Sequence, residues 1–224
     1  FVHELKKHTG LNVVMTNDAN AAAIGEGVFG GAVGKKHFAV ITLGTGLGSG
    51  IVCDGKILYG HDGFAGELGH TIIDIDSNRL CGCGRKGCLE TYVSATGIVK
   101  TAKEMLDNTY EESVLRNISP ELLTSVDIAK AVMQHDLIAS MSFDFTAKIL
   151  AVALANYTAI ASPEAIFITG GLAKAGDILF KPLISYYNEY VLSIFKGKTK
   201  ILPSALNEQN VGLIGAAALA QNEF

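Results

Sequence analysis

The sequence predicts an α/β fold in which strands and helices form separate layers. Two runs of apolar and β-branched residues, HFAVITLG from His37 and EAIFITGG from Glu164, end in glycine and have the length of buried strands. Helical patterns follow, and the longest of them covers 137–161 and is apolar on almost every side. Strands that end in glycine turns and are followed by helices are typical of layered α/β domains.

The first quarter of the chain predicts two helices and the start of a β-meander. FVHELKKHTG has the pattern of the last turns of a helix that stops at Gly10, LNVVM (11–15) predicts a short strand, and a new helix starts within TNDAN. After the strand from His37, GIVCDGKILYG predicts two short strands that turn at Asp54-Gly55, a favoured hairpin dipeptide. Because the chain starts inside a helical pattern, we expect a fragment without its N-terminal portion.

The second half is predicted to be mainly helical. Candidate helices cover 94–107, 126–135 and 137–161, followed by ILFKPLISYYNEYVLSIF from Ile178 and a closing helix of small residues at 210–222. Only the buried strand from Glu164 interrupts them.

Composition narrows the classes of partner. The chain has 224 residues, of which 49% are hydrophobic and 18% charged, as expected of a globular domain with a sizeable core. A net charge of -4 offers no basic face to nucleic acid or anionic lipid. The longest apolar stretch, ILAVALANYTAIA from Ile149, is shorter than a membrane span and contains Asn156. We therefore expect small-molecule partners, no nucleic acid or membrane bound by this part of the chain, and a cytoplasmic location.

The segment 70–90, HTIIDIDSNRLCGCGRKGCLE, concentrates metal-ligand chemistry. It holds three of the four cysteines within eight positions and a histidine eleven residues before the first. A disulfide framework would use an even, spread-out set in a short secreted chain, whereas thiols and an imidazole grouped this tightly favour structural zinc. The predicted ligands are His70, Cys81, Cys83 and Cys88.

The surroundings of these cysteines support a metal. Three glycines alternate with them and let the backbone wrap tightly, while Arg85 and Lys86 favour thiolate over thiol. The alternative is that the cysteines merely line a buried loop as small apolar residues. Cys53, outside the segment, is expected to be a reduced core residue.

Two glycine turns are candidates for binding nucleotide phosphates, which require close approach to backbone N–H groups. LGTGLGSG (43–50) contains Gly44, Thr45 and Gly46 but leads into a hairpin, so it is neither a Walker A loop nor a Rossmann turn. ITGGLAKAG (168–176) places Gly170 and Gly171 between a strand and a helix. Either segment alone could be no more than a turn.

Together, CGCGRKGCLE, GFAGELGH and TNDANAAAIGE resemble the signature of the ROK family of bacterial repressors, open-reading-frame products and sugar kinases. The resemblance covers essentially the whole chain and implies the actin-like ATPase (ribonuclease H-like) fold. It also implies an N-terminal lobe with a phosphate loop D-x-G-G-T, which this sequence lacks. Residues 1–15 would then be a remnant of that lobe, and 16–224 the large C-terminal domain, with zinc loop 70–88 and closing helix 210–222.

The resemblance implies a role for each matching residue. Asp18 corresponds to the catalytic base, although a helix N-cap is its simpler explanation. The sugar-binding positions correspond to Asn17, Glu67, His70 and Glu90, of which Glu67 on its own could be a solvated surface charge. The positions that bind ATP, with Mg²⁺, correspond to Gly44, Thr45, Gly46, Gly170 and Gly171.

The implied function is ATP-dependent phosphorylation of a hexose, most simply glucose to glucose 6-phosphate by a homodimer or higher homo-oligomer. Zinc would be structural, because four protein ligands leave no open position. Three alternatives stay open: a kinase for N-acetylmannosamine, N-acetylglucosamine or fructose; a sugar-responsive repressor whose DNA-binding part is not in this chain; and a zinc-stabilised sugar-binding scaffold. Without the first phosphate loop, the chain alone is expected to be inactive.

Overall fold

The computed structural model describes residues 1–206 and 211–223, which form an α/β structure around one mixed five-stranded sheet. The strand order is β3-β2-β1-β4-β5. The strands are β1 (Phe38–Leu43), β2 (Leu47–Cys53), β3 (Lys56–Ile57), β4 (Ala165–Thr169) and β5 (Lys200–Pro203). The first three form the predicted antiparallel meander, whereas β4 pairs in parallel with both β1 and β5.

Seven α-helices are described around this sheet. They are α1 (Val2–Thr9), α2 (Asp18–Phe29), α3 (Ala95–Asp107), α4 (Ser125–Met133), α5 (Leu137–Ala161), α6 (Asp177–Tyr190) and α7 (Val211–Glu223). The predicted helices near 94–107, 126–135 and 137–161 are confirmed, as is the stop of α1 at Gly10, which is left-handed with φ 69°. The closing helix is confirmed from Val211 onward, and its predicted first residue, Asn210, lies outside the described residues.

Three sequence predictions differ from the structure. Residues 11–15 are not a strand, because within the described chain no neighbouring strand pairs with their backbone. The helix from 178 ends at Tyr190, and Ser193–Phe195 forms a separate 3₁₀ turn. The edge strand β5 was missed because its sequence, KILP, is short and ends in proline, which cannot donate to a ladder.

Helix α5 occupies the centre of the larger core. It has 25 residues and is long and apolar enough to cross a membrane by length and composition, but 56% of its apolar window is buried inside the protein. The apolar stretch from Ile149 is therefore part of a longer helix, and one such helix is weak evidence for a membrane span. Its composition is accounted for by packing against α3, α6 and one face of the sheet.

The two faces of β1 belong to different cores. Ala39, Ile41 and Leu43 are buried against the α3–α6 layer. Phe38 and Val40 point to the opposite face, where α2 covers the sheet. This alternation is the period-2 pattern of a strand buried on both sides.

Helix α2 lies unusually close to β2. A Cβ at Gly50 would overlap the carbonyl oxygen of Ala19 and the methyl of Ala23, so only glycine permits this approach. The contact fixes the beginning of α2, with Asp18, beside the end of β1.

The opposite end of α2 is anchored by a completely buried carboxylate. Glu26 Oε1 accepts hydrogen bonds from the amides of Gly31 at 2.7 Å and Ala205 at 3.1 Å, and Oε2 accepts from the hydroxyl of Ser204 at 2.5 Å. The turn that directly follows α2 and the turn that follows β5 are thereby both joined to the helix. A carboxylate suits this position because its two oxygens can accept several hydrogen bonds.

Glu26→Ala tests this anchor. Removing the carboxylate would leave the amides of Gly31 and Ala205 without their acceptor, so we expect the free energy of unfolding to fall by about 1–3 kcal/mol. Urea unfolding measures the change. Glu121→Ala, at an exposed position, is the matched control and should shift stability by less than about 0.5 kcal/mol. Equal effects of the two substitutions would contradict the anchor.

Candidate active site

A cleft of about 640 Å³ lies where the parallel strands β1 and β4 end. Both strands run into glycine turns at this edge, and the beginning of α2 closes one side. Ligands of open α/β sheets bind outside the carboxyl ends of the strands. Six of the predicted residues line the cleft: Asp18, Gly44, Thr45, Gly46, Glu90 and Gly170.

Asp18 is exposed at the first position of α2 and faces this cleft. The N-cap of the helix is Asn17, whose Oδ1 accepts the amide of Asn20 at 2.7 Å, so the simpler explanation of Asp18 as the cap is wrong. Asp18 Oδ1 accepts the amide of Ala19 at 2.9 Å, and among the described residues Oδ2 has no partner. One oxygen of this cleft-lining carboxylate is therefore without a protein partner among the described residues.

The glycine turn after β1 is held by its carbonyl groups. The amide of Gly44 donates to the carbonyl of Gly46 at 3.0 Å, and the carbonyl of Gly44 accepts from the amide of Ala95 at 2.9 Å. The hydroxyl of Thr96 donates to the carbonyl of Thr45 at 2.9 Å. Within residues 1–206 and 211–223, the amides of Thr45 and Gly46 have no partner, so they are available to a ligand.

Glu90 joins this turn to the cysteine segment. Its Oε2 accepts the amide of Leu47 at 2.9 Å, and its Oε1 lies 3.6 Å from Cys81 Sγ. The side chain is only partly buried and lines the cleft. One carboxylate thus spans the glycine turn and the neighbouring thiol.

The predicted metal ligands do meet in space. The ligand atoms of His70, Cys81, Cys83 and Cys88 all lie within 4.8 Å of one another. Cys83 Sγ is 3.6 Å from Cys88 Sγ, and Cys81 Sγ is 3.5 Å from His70 Nδ1. Zinc bonds of about 2.3 Å to sulfur and 2.0–2.1 Å to nitrogen place tetrahedral ligands about 3.8 Å (S–S) and 3.6 Å (S–N) apart. The four residues therefore fit a tetrahedral ion.

The electrostatics of the cluster also suit a cation. A hydrogen bond from Arg85 lowers the pKa of the Cys83 thiol to about 6. Burial raises the pKa of Cys88 to about 12 and also raises the pKa of Cys81. Without a metal, the cluster brings protonated and ionised sulfurs into contact, and a divalent ion would stabilise all three as thiolates.

The remaining predicted residues lie outside the cleft lining. Glu67 is exposed, with Oε2 3.9 Å from His70 Nε2, so these two side chains lie together beside the metal cluster. Gly171 opens a 3₁₀ turn (Gly171–Ala175) next to Gly170. Cys53 is a free thiol, as predicted, but it is only partly buried and is not a core residue.

Sequence reasoning missed several residues that shape the cleft. Thr42 and Thr169 line it near the ends of β1 and β4, and Ala95 and Thr96 hold the glycine turn from behind. Thr42 and Thr169 could have been found from the sequence, because each is a threonine that comes just before a glycine turn. The second pair is distant in sequence from the turn and offered no such signal.

Comparisons with known proteins identify the family of the chain. The model of the ROK family matches residues 1–223. A glucokinase from Thermotoga maritima is 39% identical over 223 residues, which are 99% of this chain and 69% of that protein.

Two solved structures, a kinase and a transcriptional regulator, resemble this chain in fold to a similar degree. A ROK family glucokinase from Streptomyces griseus, in complex with glucose and AMPPNP, superposes with a TM-score of 0.87 at 34% identity and covers 99% of this chain and 72% of its own. A ROK family transcriptional regulator, a homologue of the Escherichia coli MLC protein, gives a TM-score of 0.86 at 31% identity. The match covers 98% of this chain and 54% of the regulator.

A pair of substitutions tests how the glycine turn is built. A Cβ at Gly46 would overlap Glu90 Oε2, whereas a Cβ at Gly44 would meet open space. We expect Gly46→Ala to push Glu90 off the Leu47 amide and to lower the free energy of unfolding by about 1–3 kcal/mol. Gly44→Ala should change it by less than about 0.5 kcal/mol. The same loss for both variants in urea unfolding would mean that the contact between turn and carboxylate is not stabilising.

Proposed function

The chain belongs to the ROK family, and we propose that it is the catalytic part of an ATP-dependent sugar kinase, most simply one that phosphorylates glucose. The observation that carries the proposal is the free oxygen of Asp18 in the same cleft as a glycine turn with free amides. A protein that only senses sugar has no use for a base.

Phosphoryl transfer depends mainly on positioning and charge stabilisation. Asp18 Oδ2 would accept the proton of the sugar hydroxyl as the hydroxyl oxygen bonds to the γ-phosphorus of MgATP, while the bond from that phosphorus to the leaving MgADP breaks. The amides of the turn Gly44–Gly46 would stabilise the negative charge on the phosphate oxygens. Gly170 and Gly171, after β4, would lie along the nucleoside.

The sugar would be bound on the side of the cysteine cluster. Glu90 lines the cleft with its carboxylate already oriented by Leu47, and Glu67 and His70 lie together beside the cysteine cluster, outside the cleft lining. The side-chain amide of Asn17, whose oxygen caps α2, would be the fourth contact. Fixed hydrogen-bonding partners of this kind favour one arrangement of sugar hydroxyls.

The cysteine cluster is proposed to bind structural zinc. His70 Nδ1 faces the thiols, so Nε2 is left to Glu67 and the sugar. When bound, the ion would fix the loop that carries Glu67 and Glu90 without acting on the substrate, because four protein ligands close its coordination.

The wider setting follows from the same proposal. Residues 16–224 would be the C-terminal domain and 1–15 a remnant of an N-terminal lobe, in a homo-oligomer. The proposed compartment is the cytoplasm, where ATP is available and thiols such as the four free cysteines stay reduced. That the chain alone is inactive stays a prediction.

The second candidate is a sugar-responsive repressor, favoured by the likeness to the transcriptional regulator at 31% identity. It would use the same sugar contacts but not the base. A kinase for another hexose would differ in the contacts around the 2-position of the sugar.

Asp18→Asn in the native-length protein tests the base. Because Asn17 caps the helix, the substitution leaves the cap in place and removes only the proton acceptor. We expect kcat to fall by roughly 10²- to 10⁴-fold with little change in the KM for the sugar. Asp54→Asn, in the exposed β2–β3 turn, is the control and should keep full turnover. Near-normal kcat in Asp18→Asn would exclude it as the base.

Metal analysis tests the cluster. Protein purified without chelator should contain about one zinc per chain, Cys88→Ser should lose most of it, and Cys53→Ser should retain it. Elemental analysis and the unfolding midpoint report content and stability independently of activity. Equal zinc in Cys88→Ser and Cys53→Ser would contradict the assignment.

A further inference from the structure

The beginning of α3 holds the glycine turn Gly44–Gly46 from outside the cleft. The amide of Ala95, the first residue of α3, donates to the carbonyl of Gly44, and the hydroxyl of Thr96 donates to the carbonyl of Thr45, both at 2.9 Å. An α-helix leaves its first N–H groups without intrahelical partners, so Ala95 has a donor to spare. Neither residue lines the cleft. Both act on the turn through its carbonyl groups.

The direction of a carbonyl fixes the direction of the next amide. In a trans peptide unit the C=O and the N–H of the following residue point in opposite directions, and all described peptide bonds are trans. The turn already shows the rule once: the carbonyl of Gly46 points inward to the amide of Gly44, and the amide of Leu47 points outward to Glu90.

The same rule applies to the two free amides. Because the carbonyl of Thr45 points at Thr96, the amide of Gly46 must point away from α3. Because the carbonyl of Gly44 points at Ala95, the amide of Thr45 must do the same. Adjacent amides turned the same way form an anion-binding concavity. One of the two is oriented by a backbone group and the other by a side chain, Thr96.

We propose that Thr96 is a positioning residue of the nucleotide site: its hydroxyl holds the carbonyl of Thr45 and so aims the amide of Gly46 at a nucleotide phosphate. The residue touches neither substrate and acts through the turn. The inference rests on the proposed nucleotide-binding function of the cleft.

Three variants test this role in the native-length protein. Thr96→Val keeps the shape of the side chain and removes the hydroxyl, Thr96→Ser keeps the hydroxyl, and Thr9→Val removes an exposed helical hydroxyl on α1 that also donates to a carbonyl. Calorimetric titration with MgADP measures nucleotide affinity. Urea unfolding and the KM values for ATP and glucose are measured in parallel.

Thr96→Val should weaken MgADP binding by about 3- to 10-fold, which is the scale of one hydrogen bond. The KM for ATP should rise with it, while the KM for glucose and the unfolding midpoint stay near wild type. Thr96→Ser should restore affinity to within about 2-fold, and Thr9→Val should not change it.

Three results would overturn the inference: unchanged MgADP affinity in Thr96→Val, a loss of affinity that only follows a lower unfolding midpoint, or a wild-type protein that binds no nucleotide. Failure of the proposed function is distinguishable. A protein that phosphorylates no sugar, yet binds MgADP with the expected dependence on Thr96, would disprove the kinase and support the positioning role.

Discussion

The candidate site depends on one carboxylate that spans two loops distant in sequence. Glu90 accepts the amide of Leu47 from the hairpin side and approaches the thiol of Cys81 on the cysteine side. A Cβ at Gly46 would displace the carboxylate from this position. The turn that faces the cleft and the cluster that fits a metal are therefore one packed unit, and neither loop can move without disturbing the other.

In the proposed function, the cleft would bind its ligands largely through the backbone. Three consecutive peptide units of the turn have their orientations fixed by partners at Ala95, Thr96 and Glu90. Preorganised amides need no reorientation when charge develops on a bound phosphate, which is where such groups contribute most. This also explains why the surrounding sequence is rich in small residues: close approach matters more than side-chain chemistry.

Much of this architecture could be predicted from the sequence because its determinants are local. The apolar runs of β1 and β4, the helices α3 to α5 and the His-Cys cluster all depend on residues that are near one another in the chain. Non-local features could not be predicted. Residues 11–15 have the composition of a strand, yet a strand needs a partner that the described chain does not provide. The support of the glycine turn by Thr96 spans 51 positions and has no sequence pattern.

Two carboxylates on α2 show how structural and chemical roles can be separated. Glu26 is completely buried and has three protein donors, so packing alone accounts for it. Asp18 is exposed, does not cap its helix and keeps one oxygen free among the described residues. Because Asp18 contributes so little to the fold, its place at the cleft is better explained by a ligand than by stability. A repressor and a kinase could share every sugar contact of this fold. The two functions would then differ in whether the free oxygen of Asp18 accepts a proton from a sugar hydroxyl.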